Sequence, residues 1–160
     1  MSRDTRTWLA ILCTVVVFII FSIICYYAGC YLEKSHLGGT VKRDDWEIWF
    51  KGCMMATGAV TAIITSAWIA IARWGKRITS PYGVGARGVW YGLWGGTILA
   101  AAIVPNVYAM IKHYPFFIGV TIVLVVAYAL CYYACTLYGT PEKFKYTPLG
   151  AESFIAKKSN

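Results

Sequence analysis

Four long runs free of charge dominate this chain and leave it few ways to fold. They extend from Trp8 to Tyr31, Gly52 to Ala72, Gly88 to Ile111 and Tyr114 to Tyr138, and none contains Asp, Glu, Lys, Arg or His. Each is long enough to cross roughly 30 Å of hydrocarbon at about 1.5 Å per residue of helix. Backbone groups in lipid must be satisfied within their own segment, and no run shows the alternation of a barrel strand, so each is predicted to be an α-helix. The fold class expected is all-α integral membrane: a four-helix transmembrane bundle over residues 8–138, preceded by a short segment (1–7) and followed by a tail (139–160).

Composition excludes the common alternatives. The chain has 160 residues, 59% of them hydrophobic and only 14% charged, against about 25% charged for an ordinary soluble domain. Its net charge of +8 does not read as a nucleic-acid footprint, because the Lys and Arg flank the apolar runs. They also orient the bundle. Arg3, Arg6, Arg73, Lys76, Arg77, Arg87, Lys143, Lys145, Lys157 and Lys158 fall on one side, and Lys34, Lys42, Arg43, Lys51 and Lys112 on the other. Basic residues concentrate on the cytoplasmic side of short loops, so both termini are expected there. Three membranes fit such a chain: a bacterial inner membrane, a mitochondrial inner membrane or the ER. The Lys157-Lys158-Ser159-Asn160 sequence reads as solvated lysines, and is also similar to a dilysine retrieval signal.

Aromatic residues sit where interfacial belts would need them. Trp8, Trp74, Trp90 and Trp94 mark the inner face. Tyr26, Tyr27, Tyr31, Trp46, Trp49, Tyr108 and Tyr114 mark the outer one. The stretch from Asp44 to Phe50 is expected to be a short interfacial turn that anchors the second span.

The strongest pattern is a spacing of four small residues. Gly88, Gly92, Gly96 and Ala100 share one face of the third span, and Gly58, Ala62, Ser66 and Ala70 one face of the second. Membrane helices associate by close packing, which small residues at i, i+4 permit. The simpler expectation is that the two stripes pack against each other. The sharper one gives the glycine stripe to a partner chain or a second copy.

Chemistry-bearing residues are sparse. His36 and His113 have no acid–base partners in sequence, and no intramembrane carboxylate offers a proton site. No cysteine spacing suggests zinc, so no cofactor or metal is expected. Cys30 and Cys53 lie near the outer ends of their spans, where an oxidising compartment allows a disulfide. Within the bilayer the polar feature is Pro105-Asn106: Pro105 frees a carbonyl one turn back, and Asn106 can bond a neighbouring helix. Arg73, Lys76, Arg77 and Arg87 crowd one loop without an acid and are expected to hold anionic lipid on the inner leaflet. The leading expectation for function is a non-enzymatic subunit that packs into or helps assemble a larger membrane complex, with lipids and other transmembrane chains as partners. A small channel or transporter and an intramembrane binding protein of immunity type are the alternatives.

Overall fold

The computed structural model describes residues 3–34, 43–74, 84–113 and 118–140. Four α-helices account for nearly all of them: α1 (Arg3–Lys34), α2 (Arg43–Trp74), α3 (Val84–Ile111) and α4 (Ile118–Gly139). Every helix contains a stretch long and apolar enough to cross a membrane: Ile11–Tyr31, Trp46–Arg73, Gly85–Ile111 and Ile118–Leu137. Length and composition together make this a multi-pass membrane protein.

The distribution of side chains supports that assignment independently. Ile19, Ile20, Ile23 and Ile24 of α1, Ile63 of α2, Leu99 and Ile103 of α3, and Ile122 and Val126 of α4 all face outward. Thr57, Thr61, Thr65, Thr97 and Thr136 are buried. A water-soluble bundle has the reverse arrangement, since extended apolar surface in water marks an interaction or membrane face.

Sequential helices run antiparallel. Tyr26 of α1 donates to Glu47 of α2 at 3.3 Å, the Cys53 thiol of α2 to the carbonyl of Pro105 in α3 at 3.7 Å, and Thr121 of α4 to Asn106 of α3 at 3.4 Å. The ring closes where Thr14 of α1 reaches the carbonyl of Cys135 in α4 at 3.5 Å. Across the bundle α2 and α4 touch, whereas α1 and α3 barely do, so the cross-section is a rhombus with α2–α4 as its short diagonal. Gly58 makes that diagonal short. A Cβ there would lie 2.9 Å from the Tyr128 hydroxyl, which donates to the carbonyl of Met54 at 2.8 Å.

One difference from the sequence reading concerns the segment before the second span. Asp44–Phe50 is not an interfacial turn but the first two turns of α2, which starts at Arg43. Trp46, Trp49, Phe50 and Cys53 recur at helical spacing and are all buried, so these indoles are core residues and not headgroup anchors. Trp46 stacks on Phe50 with ring centroids 6.3 Å apart, and Phe50 occupies the space that Gly29 leaves open on α1. Trp90 is likewise core, whereas Trp8, Tyr27 and Tyr31 are exposed as an interfacial belt requires. The description of α4 starts at Ile118, and Tyr114, where the fourth apolar run starts, lies outside the described residues. The closing turn of α3 puts His113 at φ 56°, a left-handed conformation unusual for a residue with a side chain.

Candidate functional site

What orients α3 is its tryptophans. Trp90 Nε1 donates to Thr136 Oγ1 at 3.0 Å, and Trp94 Nε1 to the carbonyl of Ala129 at 3.1 Å, both on α4. Tyr132 returns a bond of 3.5 Å from its hydroxyl to the carbonyl of Trp90. These ties turn Trp90, Thr97 and Ala101 into the bundle. Gly88 and Gly92 each stand two residues from Trp90, about 200° around the helix, and are therefore turned out. Both are exposed, and Gly96 and Ala100 are half-buried. A Cβ built at Gly88, Gly92, Gly95 or Gly96 would meet nothing within 4 Å.

The expected packing of this stripe against the α2 stripe is therefore not what the structure has. On α2, Gly58 is buried, Ala62 half-buried, and Ser66 and Ala70 exposed. The reason is geometric: positions spaced by four advance about 400°, so a stripe drifts about 40° per step and has left the interface after three. The interior line of α2 is instead Thr57, Thr61, Thr65, Trp68 and Ala72, where a step of three corrects the drift.

Glycines elsewhere in the bundle serve close approach. A Cβ on Gly29 would strike Phe50, on Gly52 Tyr108, on Gly58 Tyr128, and on Gly139 Ile69 at 2.9 Å. Gly85 and Gly119 are open, but neither belongs to the stripe that runs from Gly88 to Ala100. The site that results is a ridge on the outside of α3, flat along its glycines, flanked by exposed Val89, Tyr91 and Leu99.

Of the other expected residues, Pro105 is buried, and Asn106 binds within the bundle. Asn106 Nδ2 donates to the carbonyl of Ala102 at 2.6 Å, and its Oδ1 accepts from Thr121. It acts as a tie between α3 and α4. Arg73 is half-buried, and its Nε donates to the carbonyl of Gly139 at 3.2 Å, where a cation complements the C-terminal end of α4. Arg87 is exposed; Lys76 and Arg77 lie outside the described residues. Cys30 and Cys53 are free thiols, with Cys53 buried against α3, so the disulfide is absent. Among the described residues no three His, Cys, Asp or Glu side chains converge as a metal site would need.

Sequence reasoning missed the buried threonines and the inward indoles. Their i, i+4 spacing was visible at Thr57, Thr61 and Thr65, one position before the stripe Gly58, Ala62 and Ser66, which masked it. No known protein family, curated protein or solved structure matches the chain.

Proposed function

We propose that this protein is a non-enzymatic multi-pass membrane subunit that assembles with another transmembrane helix through the glycine ridge of α3. One observation carries the reading: a Cβ at Gly88, Gly92 or Gly96 would meet nothing within 4 Å, so no other helix of the bundle packs closely on these positions. Glycine in a helix interior costs about 1 kcal/mol relative to alanine, and nothing inside this bundle offsets that cost at these positions. Close backbone approach by a second helix does, because in hydrocarbon the association of helices depends on packing and not on water exclusion. The partner is a foreign subunit or a second copy.

The bundle's orientation follows from its charges: both termini face the cytoplasmic side, with the Arg73–Arg87 segment against anionic headgroups. A channel or carrier draws less support. Asn106 is engaged with Ala102 and Thr121, and the glycine face lies on the outside, so neither lines an interior path.

The test is native mass spectrometry of the gently solubilised protein, wild type against Gly92→Leu. The wild type should carry a foreign subunit or a second copy, and Gly92→Leu should release it while the monomer keeps its helicity. Assembly unchanged in Gly92→Leu, or a wild type that is only ever monomeric, would sink the proposal.

A further inference from the structure

Buried polar atoms of the interior raise a separate question, independent of the docking ridge. Thr57, Thr61 and Thr65 of α2, Thr97 of α3 and Thr136 of α4 are all buried. Three of these hydroxyls donate to carbonyls of their own helices: Thr57 to Cys53 at 2.8 Å, Thr97 to Leu93 at 3.0 Å and Thr136 to Tyr133 at 2.9 Å. Thr61 and Thr65 differ. Their Oγ1 atoms are sealed from the surface and make no hydrogen bond, although Thr61 is 0% and Thr65 3% exposed.

A buried hydroxyl without a partner is costly, and more so in a medium of low dielectric. Threonine in a helix has a ready remedy in the carbonyl four residues back, which Thr57 and Thr97 use. Thr61 and Thr65 do not use it. Two such hydroxyls, one turn apart on the same face, therefore point to a shared ligand.

Register defines the surroundings. The approach of Gly52 to Tyr108 and of Cys53 to Pro105 pairs α2 with α3 so that Thr61 comes level with Thr97. The approach of Gly58 to Tyr128 and of Gly139 to Ile69 brings Thr65 to the level of Cys135 and Thr136 of α4. Thr97 donates its hydroxyl hydrogen bond to the carbonyl of Leu93 and retains lone pairs that can accept. The threonines at this level are polar and uncharged, and they lie where three helices meet.

We propose that Thr61 and Thr65 hold an internal water molecule between α2, α3 and α4. Residues four apart on a helix have Cβ atoms about 5–6 Å apart, so two hydroxyls inclined toward each other come within the roughly 4.5 Å that one water spans with two O–H···O bonds of about 2.8 Å at its tetrahedral angle. The water accepts from one threonine and donates to the other, and Thr97 supplies the third partner that a buried water requires. A larger ligand does not suit a site bounded by threonines and closed, toward the start of α1 and the end of α4, by the buried indoles of Trp68 and Trp90.

The experiment uses the full chain in phospholipid bilayers, with water itself as the probe. Solid-state NMR should show cross-peaks from water to the Thr61 and Thr65 side chains, and these should vanish in Thr61→Val/Thr65→Val. That isosteric double variant should unfold at a lower temperature than wild type, while Thr61→Ser/Thr65→Ser, which keeps both hydroxyls, should retain the cross-peaks. A valine variant that melts higher, with no water signal in wild type, would show two unsatisfied hydroxyls and overturn the proposal. An unchanged melting temperature without the signal would mean that both hydroxyls turn back to their own helix, and would overturn it equally. If the valine variant does not fold, the wild-type and serine cross-peaks decide.

Discussion

Gly58→Ala adds a single methyl group, and the structure gives its cost in parts. The new carbon would lie 2.9 Å from the Tyr128 hydroxyl and 3.4 Å from the ring carbon bearing it. Tyr128 is buried and tied to the carbonyl of Met54, so it cannot swing away without losing that bond. Loss of the bond costs about 0.5–1.5 kcal/mol, and overpacking a close-fitted core about 1–3 kcal/mol. The better helix propensity of alanine returns about 1 kcal/mol, which leaves a net destabilisation of about 0.5–3.5 kcal/mol by these terms. The same substitution at Gly92 meets nothing within 4 Å, so only the propensity acts, and monomeric Gly92→Ala should be more stable by up to about 1 kcal/mol. Reversible unfolding of the monomer in mixed micelles, followed by tryptophan fluorescence, measures both. Tyr128→Phe removes the hydroxyl that the methyl group would strike, so Gly58→Ala should cost less in that background. Equal effects at Gly58 and Gly92, or a Gly58→Ala penalty untouched by Tyr128→Phe, would refute the assigned packing.

Other consequences are as direct. Asn106→Ala and Thr121→Val should each destabilise the α3–α4 pair, and a double-mutant cycle should return a coupling of about 0.6 kcal/mol, the average for hydrogen bonds between membrane helices; a coupling of zero would break the tie. His113→Gly should stabilise the monomer by about 1 kcal/mol, since it relieves a side chain at positive φ; the same unfolding assay reads it. With the native cysteines removed, an impermeant thiol reagent added outside should label Ser35→Cys and spare Ser80→Cys in intact membranes; the opposite pattern inverts the proposed orientation. Neutralising Lys76 and Arg77 together should reduce the anionic lipid that co-purifies without reversing topology, and unchanged lipid content would limit those charges to orienting the chain.

Existence of the four helices was legible because it depends on local facts: uncharged length and the need to satisfy backbone groups within a segment. The start of α2 was not, because Asp44, Asp45, Glu47 and Lys51 interrupt the apolar run that marked the span. Helical spacing through Trp46, Trp49, Phe50 and Cys53 continues across those charges, and Glu47 and Lys51, paired one turn apart, lie on the exposed side. Hydropathy saw the charge; periodicity saw the face. The direction of α3 was beyond either signal, since Gly88-Gly92-Gly96 and Trp90-Thr97-Ala101 are both consistent with an interface. The acceptors that decide between them, Thr136 and the carbonyl of Ala129, lie on another helix.

That distant decision also bears on how the ridge works. Trp68 donates to Thr140 at 2.9 Å, Trp90 to Thr136, Trp94 to Ala129, and Tyr128 to Met54, so α4 is tied by aromatic donors and acceptors to both α2 and α3. Rotation of α3 about its axis would break two of these bonds at once and withdraw Trp90 from its buried place. The glycine face is therefore held in one orientation, so the proposed docking would need no reordering of the helix that bears it. Association loses affinity to every group that must be fixed on binding. Bulky aromatics inside and bare glycines outside are thus two sides of one arrangement: the indoles hold α3 in place, and the opposite face is left flat, as the proposed assembly requires.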